Sequence, residues 1–173
     1  LFLGNLNHAI HRARGSVLET AAALSGAYTV VIDGGLDPEA YTALMNRARI
    51  VINYSVRREM NLRAFETLAC GALLFTEDHN LEVGDWLSHG IEVVRYNSAN
   101  LERQLRHYLA HEGERERIAR AGAERARGLA AEQRMDAFFD WFAELPRGPR
   151  PFATFDEETR ELAEAFLYAS SRE

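Results

Sequence analysis

The sequence predicts an α/β fold, a doubly wound parallel sheet closed by C-terminal helices. Short apolar runs recur through the first part of the chain, helix-like stretches separate them, and glycine, proline or Asx residues mark many of the junctions. Buried strands alternating with helical patterns indicate βαβ units, which build parallel sheets. Ligands of such sheets bind outside the carboxyl ends of the strands.

The elements follow in order. Leu1 to Gly4 reads as a strand, and Arg14 to Leu24 as a helix. Tyr28 to Asp33 is the next strand, ended by Gly34-Gly35. Pro38 to Ala48 is helical, with Pro38 at a permitted first-turn position. Ile50 to Tyr54 is a strand, and Leu62 to Ala69 a short helix capped by Asn61. Gly71 suits the left-handed turn after that helix, and Ala72 to Thr76 reads as a buried strand. Leu81 to His89 reads as irregular, and Ile91 to Tyr96 as a last strand. Ser98 is placed to cap a helix to about His111, and Glu114 to Ala126 forms a charged helix. Met135, Phe138, Phe139 and Phe142 recur at i, i+3, i+4 and i+7, which marks one apolar helix face. Residues 1–145 therefore form one domain. Residues 146–173 comprise a proline-rich linker, Pro146 to Pro151, and an amphipathic helix bearing Leu162 and Phe166.

Composition narrows the function classes. A chain of 173 residues with 47% hydrophobic and 27% charged content has room for a real core. No apolar run approaches the ~20 residues of a membrane span, and no signal-peptide pattern is present. The lone Cys70, in an Ala-Cys-Gly setting, reads as a small buried filler, and a reducing cytoplasm fits best. The net charge of −6 argues against nucleic-acid binding. Every basic residue apart from histidine is arginine. A Schiff base or a lysine phosphate ligand is therefore excluded, and any anion site must use Arg, His or backbone amides. Cys/His spacing for zinc, the G-x-G-x-x-G and Walker glycine loops, and the G-x-S-x-G elbow are all absent from the sequence.

The most informative stretch is Asn61 to Thr76, N-L-R-A-F-E-T-L-A-C-G-A-L-L-F-T. Arg63 and Glu66 share one helix face near a helix N-terminus. A cation, a carboxylate and free helix amides at one spot suit a phosphorylated, hydroxyl-bearing ligand. The same spacing also fits an ordinary surface ion pair.

This segment resembles the signature of retaining glycosyltransferases of the GT-B fold, which carry an F-E-x-x-A-C-G-type element before a buried strand. It is most similar to the spore-maturation-type branch, with its M-N-L-R-x-F-E wording at Met60 to Glu66. Flanking similarities are F-L-G-N at Phe2 to Asn5, H-R-x-R at His11 to Arg14, and I-A-R-A-G at Ile118 to Gly122. The resemblance implies the C-terminal, nucleotide-sugar-binding, Rossmann-like half of a GT-B fold. Its reaction would move a hexosyl unit from a nucleoside diphosphate sugar to an unknown hydroxyl acceptor (glycan, protein or small molecule). Retention, and no cofactor or metal, are implied as well, in keeping with the absence of an Asp-x-Asp element.

By the same resemblance, Glu66 would hold the ribose hydroxyls and Arg63 would face the pyrophosphate or the donor sugar. Asn61 and Leu62 would supply the helix N-terminus. Gly4 and Asn5 match the first strand-loop, where glycine lets backbone approach the phosphates. Among His11, Arg12 and Arg14, Arg12 is the favoured second cation, while His8 or His11 could serve as acid, base or acceptor residues. Ser55 stands where a small residue adjoins the diphosphate, and Asp33-Gly34-Gly35 would lie near the nucleobase. One position departs from the pattern of the wider superfamily. Glu59 is one residue out of register for the first of two paired glutamates, a shift of ~100° if it lay in a helix.

The GT-B active site lies between two domains, and this sequence starts without Met, inside a strand, as if an N-terminal acceptor domain preceded it. The alternative is a non-catalytic nucleotide-binding or assembly module of the same fold. A nucleotide-sugar epimerase of that fold is less favoured. The apolar face near Phe138 predicts self-association.

Overall fold

The computed structural model describes residues 1–6, 12–129 and 131–144. The chain divides into two units, Leu1–Gln133 and Arg134–Glu173. The first carries β1 (Phe2–Leu3), α1 (Arg12–Ala22), β2 (Ile32–Asp33), α2 (Pro38–Arg47) and β3 (Ile50–Ile52). It continues with α3 (Leu62–Ala69), β4 (Leu73–Glu77), α4 (Val83–Trp86), β5 (Val94–Tyr96), α5 (Leu101–Ala110) and α6 (Glu112–Arg127). Helix α7 (Ala131–Glu144) follows.

All strand pairing is parallel, in ladders β1-β2 and β3-β4-β5. Two backbone bonds join the ladders: Leu1 N donates to Ile50 O at 2.8 Å, and Ile52 N donates to Leu1 O at 2.9 Å. The strand order is therefore β2-β1-β3-β4-β5. The chain winds outward from β1 to β2, then crosses to the other side of β1 for β3. That reversal is the switch point at which doubly wound sheets form their ligand crevice.

Both faces of the sheet are covered, as the near-continuous apolar strands require. Ile50, Ile52, Leu73, Phe75, Val94 and Tyr96 share one core with Val17 and Ala21 of α1, Leu105 and Tyr108 of α5, and Ile118 of α6. The alternate residues point the other way. Leu3 and Val51 pack with Met45 of α2, and Leu74 and Val93 with Ala64 and Leu68 of α3. The α/β doubly wound expectation is borne out. The flanking motif Ile118 to Gly122 has a packing role: Ile118 is fully buried. A Cβ on Gly122 would meet Leu68 Cδ2 at 2.7 Å and the Glu92 carbonyl oxygen at 2.8 Å.

Several local expectations need correction. The strand expected from Tyr28 pairs only at Ile32–Asp33, because the amides of Ala27 and Tyr28 turn back onto the Leu24 carbonyl. The last strand starts at Val94, since a turn onto Ser88 O takes the amides of Ile91 and Glu92. Residues Val83–Trp86 form a helical turn inside the stretch expected to be irregular. The Asn80 side-chain oxygen accepts from the amides of Glu82 and Val83 and starts it. Ser98 does not cap α5; Asn97 accepts from the amides of Ala99 and Asn100 instead. Cys70 is half-buried rather than buried.

In the second unit, Met135, Phe138, Phe139 and Trp141 are each about half exposed, and the Phe138 ring lies 5.7 Å from Phe139 and 5.8 Å from Trp141. The Phe142 side chain, the linker Pro146 to Pro151 and the final helix with Leu162 and Phe166 lie outside the described residues. No described helix is long and apolar enough to cross a membrane.

Candidate functional site

Helix α3 places the central motif as its sequence requires. The Asn61 side chain accepts from the Ala64 amide at 3.3 Å, and Gly71 ends the helix at φ 70°. Leu62, at the first helical position, is 71% exposed, which leaves the helix N-terminus open to solvent.

Arg63 reaches from α3 to the carboxyl ends of β1 and β3. Its Nη1 donates to Asn53 Oδ1 at 3.3 Å, and its guanidinium lies over the Phe2 ring, 4.7 Å from the centroid. Gly4 makes the space, since a Cβ there would overlap Arg63 Nη2. Arg14 approaches the same ring at 5.4 Å and donates to Asn5 O at 2.7 Å and Tyr54 O at 3.3 Å. Burial lowers the pKa of both guanidinium groups, and for Arg63 the nearby Arg14 charge acts in the same direction. Arginine nonetheless stays charged at working pH. Neither arginine has a carboxylate ion-pair partner among the described residues. The buried Nε of each, and Nδ2 of the fully buried Asn53, have no hydrogen-bond partner there either. Unsatisfied buried donors on two cations are costly without an anion to receive them.

Glu66 does not pair with Arg63. Its Oε2 instead accepts from the Tyr41 hydroxyl at 2.5 Å. Burial, followed by this bond and the Glu66 charge, raises the Tyr41 phenol to about 12. The simple ion-pair reading of the Arg63/Glu66 spacing therefore does not hold in the fold.

Ser55 is buried. Its amide donates to Glu77 Oε1 at 3.0 Å, and its hydroxyl donates to the same oxygen. Asn80 donates to Glu77 Oε1 at 3.2 Å and to Glu59 O at 2.9 Å, tying the loop before α3 to the end of β4. Arg58 in this loop takes a left-handed φ of 64°, rare for a non-glycine residue. Its strain is held by Leu81 N donating to Arg58 O at 2.8 Å. Glu59 belongs to the loop and not to a helix, so the helical rotation argument does not apply to it. Gly34 packs on Gly4, where a Cβ would overlap the Gly4 carbonyl oxygen.

The fold thus brings together Gly4, Asn5, Arg63 and, one turn along α3, Glu66, with Asn61 and Leu62 at the helix start. The side chain of Arg12 lies outside the described residues, as do His8 and His11; Arg14 is the neighbouring arginine seen in the crevice. Phe2, Tyr41, Asn53, Glu77 and Asn80 are additions from the structure. One carried a sequence signal: Asn53 is a polar residue that follows directly on the apolar strand run Ile50 to Ile52. Among the described residues no cluster of three His, Cys, Asp or Glu side chains is disposed to hold a metal.

Residues 7–140 match the glycosyl transferase-like family. The chain is a member of that family. The match spans α1 through most of α7 and includes the whole 61–76 motif. No curated protein matches the chain. Membership makes glycosyl transfer the activity class of this glycosyl transferase-like protein. An activated sugar donor and an acceptor are then its two substrates.

Proposed function

We propose that the chain is the donor-binding domain of a retaining, metal-independent glycosyltransferase of GT-B type. It moves a hexosyl unit from a nucleoside diphosphate sugar to a hydroxyl acceptor, in the cytoplasm. The observation that carries this reading is the pair of carboxylate-free guanidinium groups at the β1/β3 switch point, of the buried Arg14 and the half-buried Arg63, each with a buried Nε that has no hydrogen-bond partner among the described residues. Planar guanidinium forks match phosphate oxygens in geometry and charge. The open N-terminus of α3 adds a favourable dipole. Glu66, an acceptor-only carboxylate, takes the ribose hydroxyls.

The chemistry asks for this arrangement. As the bond from the anomeric carbon to the β-phosphate oxygen breaks, its electron pair stays on the leaving diphosphate. The acceptor oxygen bonds to the anomeric carbon, and its proton passes to a diphosphate oxygen. Fixed cations that meet the growing negative charge stabilise the transition state more than the ground state. A second domain would bring the acceptor and complete the cleft.

Calorimetry with UDP, GDP, ADP, dTDP and inorganic pyrophosphate tests the reading. Arg63→Ala is expected to weaken nucleotide and pyrophosphate alike, and Glu66→Ala to weaken the nucleotide selectively. Loss of a charged hydrogen-bond partner costs ~1.5–3 kcal/mol. A protein that binds none of these ligands at millimolar concentration would instead be a non-catalytic module.

A further inference from the structure

An arginine and a glutamate three apart on one helix ordinarily pair with each other. Here they are held apart from two sides. Asn53 and the Phe2 ring hold the Arg63 guanidinium toward β1 and β3. Tyr41, which arrives on α2 from a different crossover, stands between them: its hydroxyl donates to Glu66 Oε2 at 2.5 Å and also lies within interaction range of the Arg63 guanidinium. The Tyr41 ring packs against the core of Leu3, Met45, Val51 and Ala72, so its hydroxyl is delivered from a fixed platform. The other carboxylate oxygen, Oε1, accepts no hydrogen bond among the described residues.

We propose that Tyr41 is a positioning residue for ribose recognition: its hydroxyl holds Glu66 off Arg63, so that the carboxylate meets the ribose while the cation meets the diphosphate. This inference rests on the donor-site reading above, but it concerns a residue outside the 61–76 motif. A phenol that stays protonated to about pH 12 donates to Glu66 throughout the neutral range. Without it, the i, i+3 pair closes, Glu66 turns from the ribose, and Arg63 loses charge available for phosphate.

The test uses the full chain with UDP, GDP and ADP, the 2′,3′-dideoxy counterpart of each, and inorganic pyrophosphate. Tyr41→Phe keeps the ring in its core and removes only the hydroxyl. The variant is expected to lose roughly three- to thirtyfold in affinity for the ribonucleotide, in the range of couplings between bonded residues. It should gain little from restoring the ribose hydroxyls of the dideoxy ligand. Its pyrophosphate affinity should fall too, and recover in the Tyr41→Phe/Glu66→Ala double variant, where no carboxylate remains to close on Arg63. A merely structural link between α2 and α3 would weaken every ligand in both backgrounds, and that result overturns the inference. If wild type discriminates ribose, Glu66→Ala abolishes the discrimination and Tyr41→Phe retains it, the inference falls while the donor-site reading stands. If wild type binds ribo- and dideoxynucleotides equally, the ribose role of Glu66 falls and this inference falls with it.

Discussion

Gly4 and Arg63 occupy one space: the guanidinium of Arg63 fills the position that a side chain on Gly4 would take. The colliding atom is the end of a flexible side chain, so Gly4→Ala should displace the arginine, and the positive φ of 158° at Gly4 adds backbone strain. The expected outcome is weaker pyrophosphate binding, by up to the ~1.5–3 kcal/mol of a charged hydrogen bond. Gly34→Ala meets backbone instead, the carbonyl oxygen of Gly4. Both variants should lower the melting temperature, and Gly4→Ala is the one that displaces Arg63 directly. Titration calorimetry and thermal melts of the two variants check the contrast.

The parts of this site that were legible in the sequence are the parts with local determinants. Asn61 and Gly71 bracket α3 by capping chemistry, and the bounds of that helix follow from them. Helix α1 begins two residues before the expected start. Which arginine faces the crevice depends on how the helix is rotated against Phe2, which no local pattern encodes. Tyr41 is 25 residues from Glu66 and reaches it only through the crossover geometry of α2. Glu77 looks like a surface charge in sequence, and it is buried because Ser55 and Asn80 arrive from other segments to satisfy it.

Asn80 is the keystone of the loop before α3. Its Oδ1 accepts from Glu82 N and Val83 N, at 3.1 and 2.9 Å, and its Nδ2 donates to Glu59 O and Glu77. Asn80→Ala leaves the buried Val83 amide and the half-buried Glu82 amide and Glu59 carbonyl without this partner, while Ser55 still serves Glu77; an unpaired buried group costs ~1–3 kcal/mol. The variant should melt at lower temperature and exchange the Glu82 and Val83 amide protons faster. Unchanged exchange at those amides would contradict the assigned role.

Tyr41 also sets an alkaline stability limit. Its folded-state pKa is raised by burial and by Glu66 to about 12, against 10.0 for the free side chain. Between these values the unfolded chain releases a proton that the folded protein keeps, so stability falls with pH there. The contribution is fully present below pH 10 and is lost as pH rises through about 12. Burial also raises Tyr54, Tyr96 and Tyr108, so the wild-type decline is a sum over several phenols. Tyr41→Phe should flatten part of it. Thermal melts over an alkaline pH series check this, and parallel curves for variant and wild type would refute it.

Helix α6 supplies a last contrast, between two of its glycines. Replacing a helical glycine by alanine ordinarily stabilises by ~0.5–1 kcal/mol, through reduced freedom of the unfolded chain. At Gly113 an added methyl would meet nothing within 4 Å, so Gly113→Ala should show that gain or remain neutral. At Gly122 the methyl would press on the Glu92 carbonyl oxygen at 2.8 Å, and on Leu68 of α3 at 2.7 Å. The leucine can rotate but the carbonyl cannot, so α6 must shift outward. Overpacking of this kind costs ~1–3 kcal/mol, which outweighs the propensity gain. Because Leu68 lies on the helix that carries Arg63 and Glu66, Gly122→Ala should also weaken nucleoside diphosphate binding, whereas Gly113→Ala should not. Urea denaturation and calorimetry on both variants decide it: equal stability of the two would show that α6 does not brace the donor site through this contact.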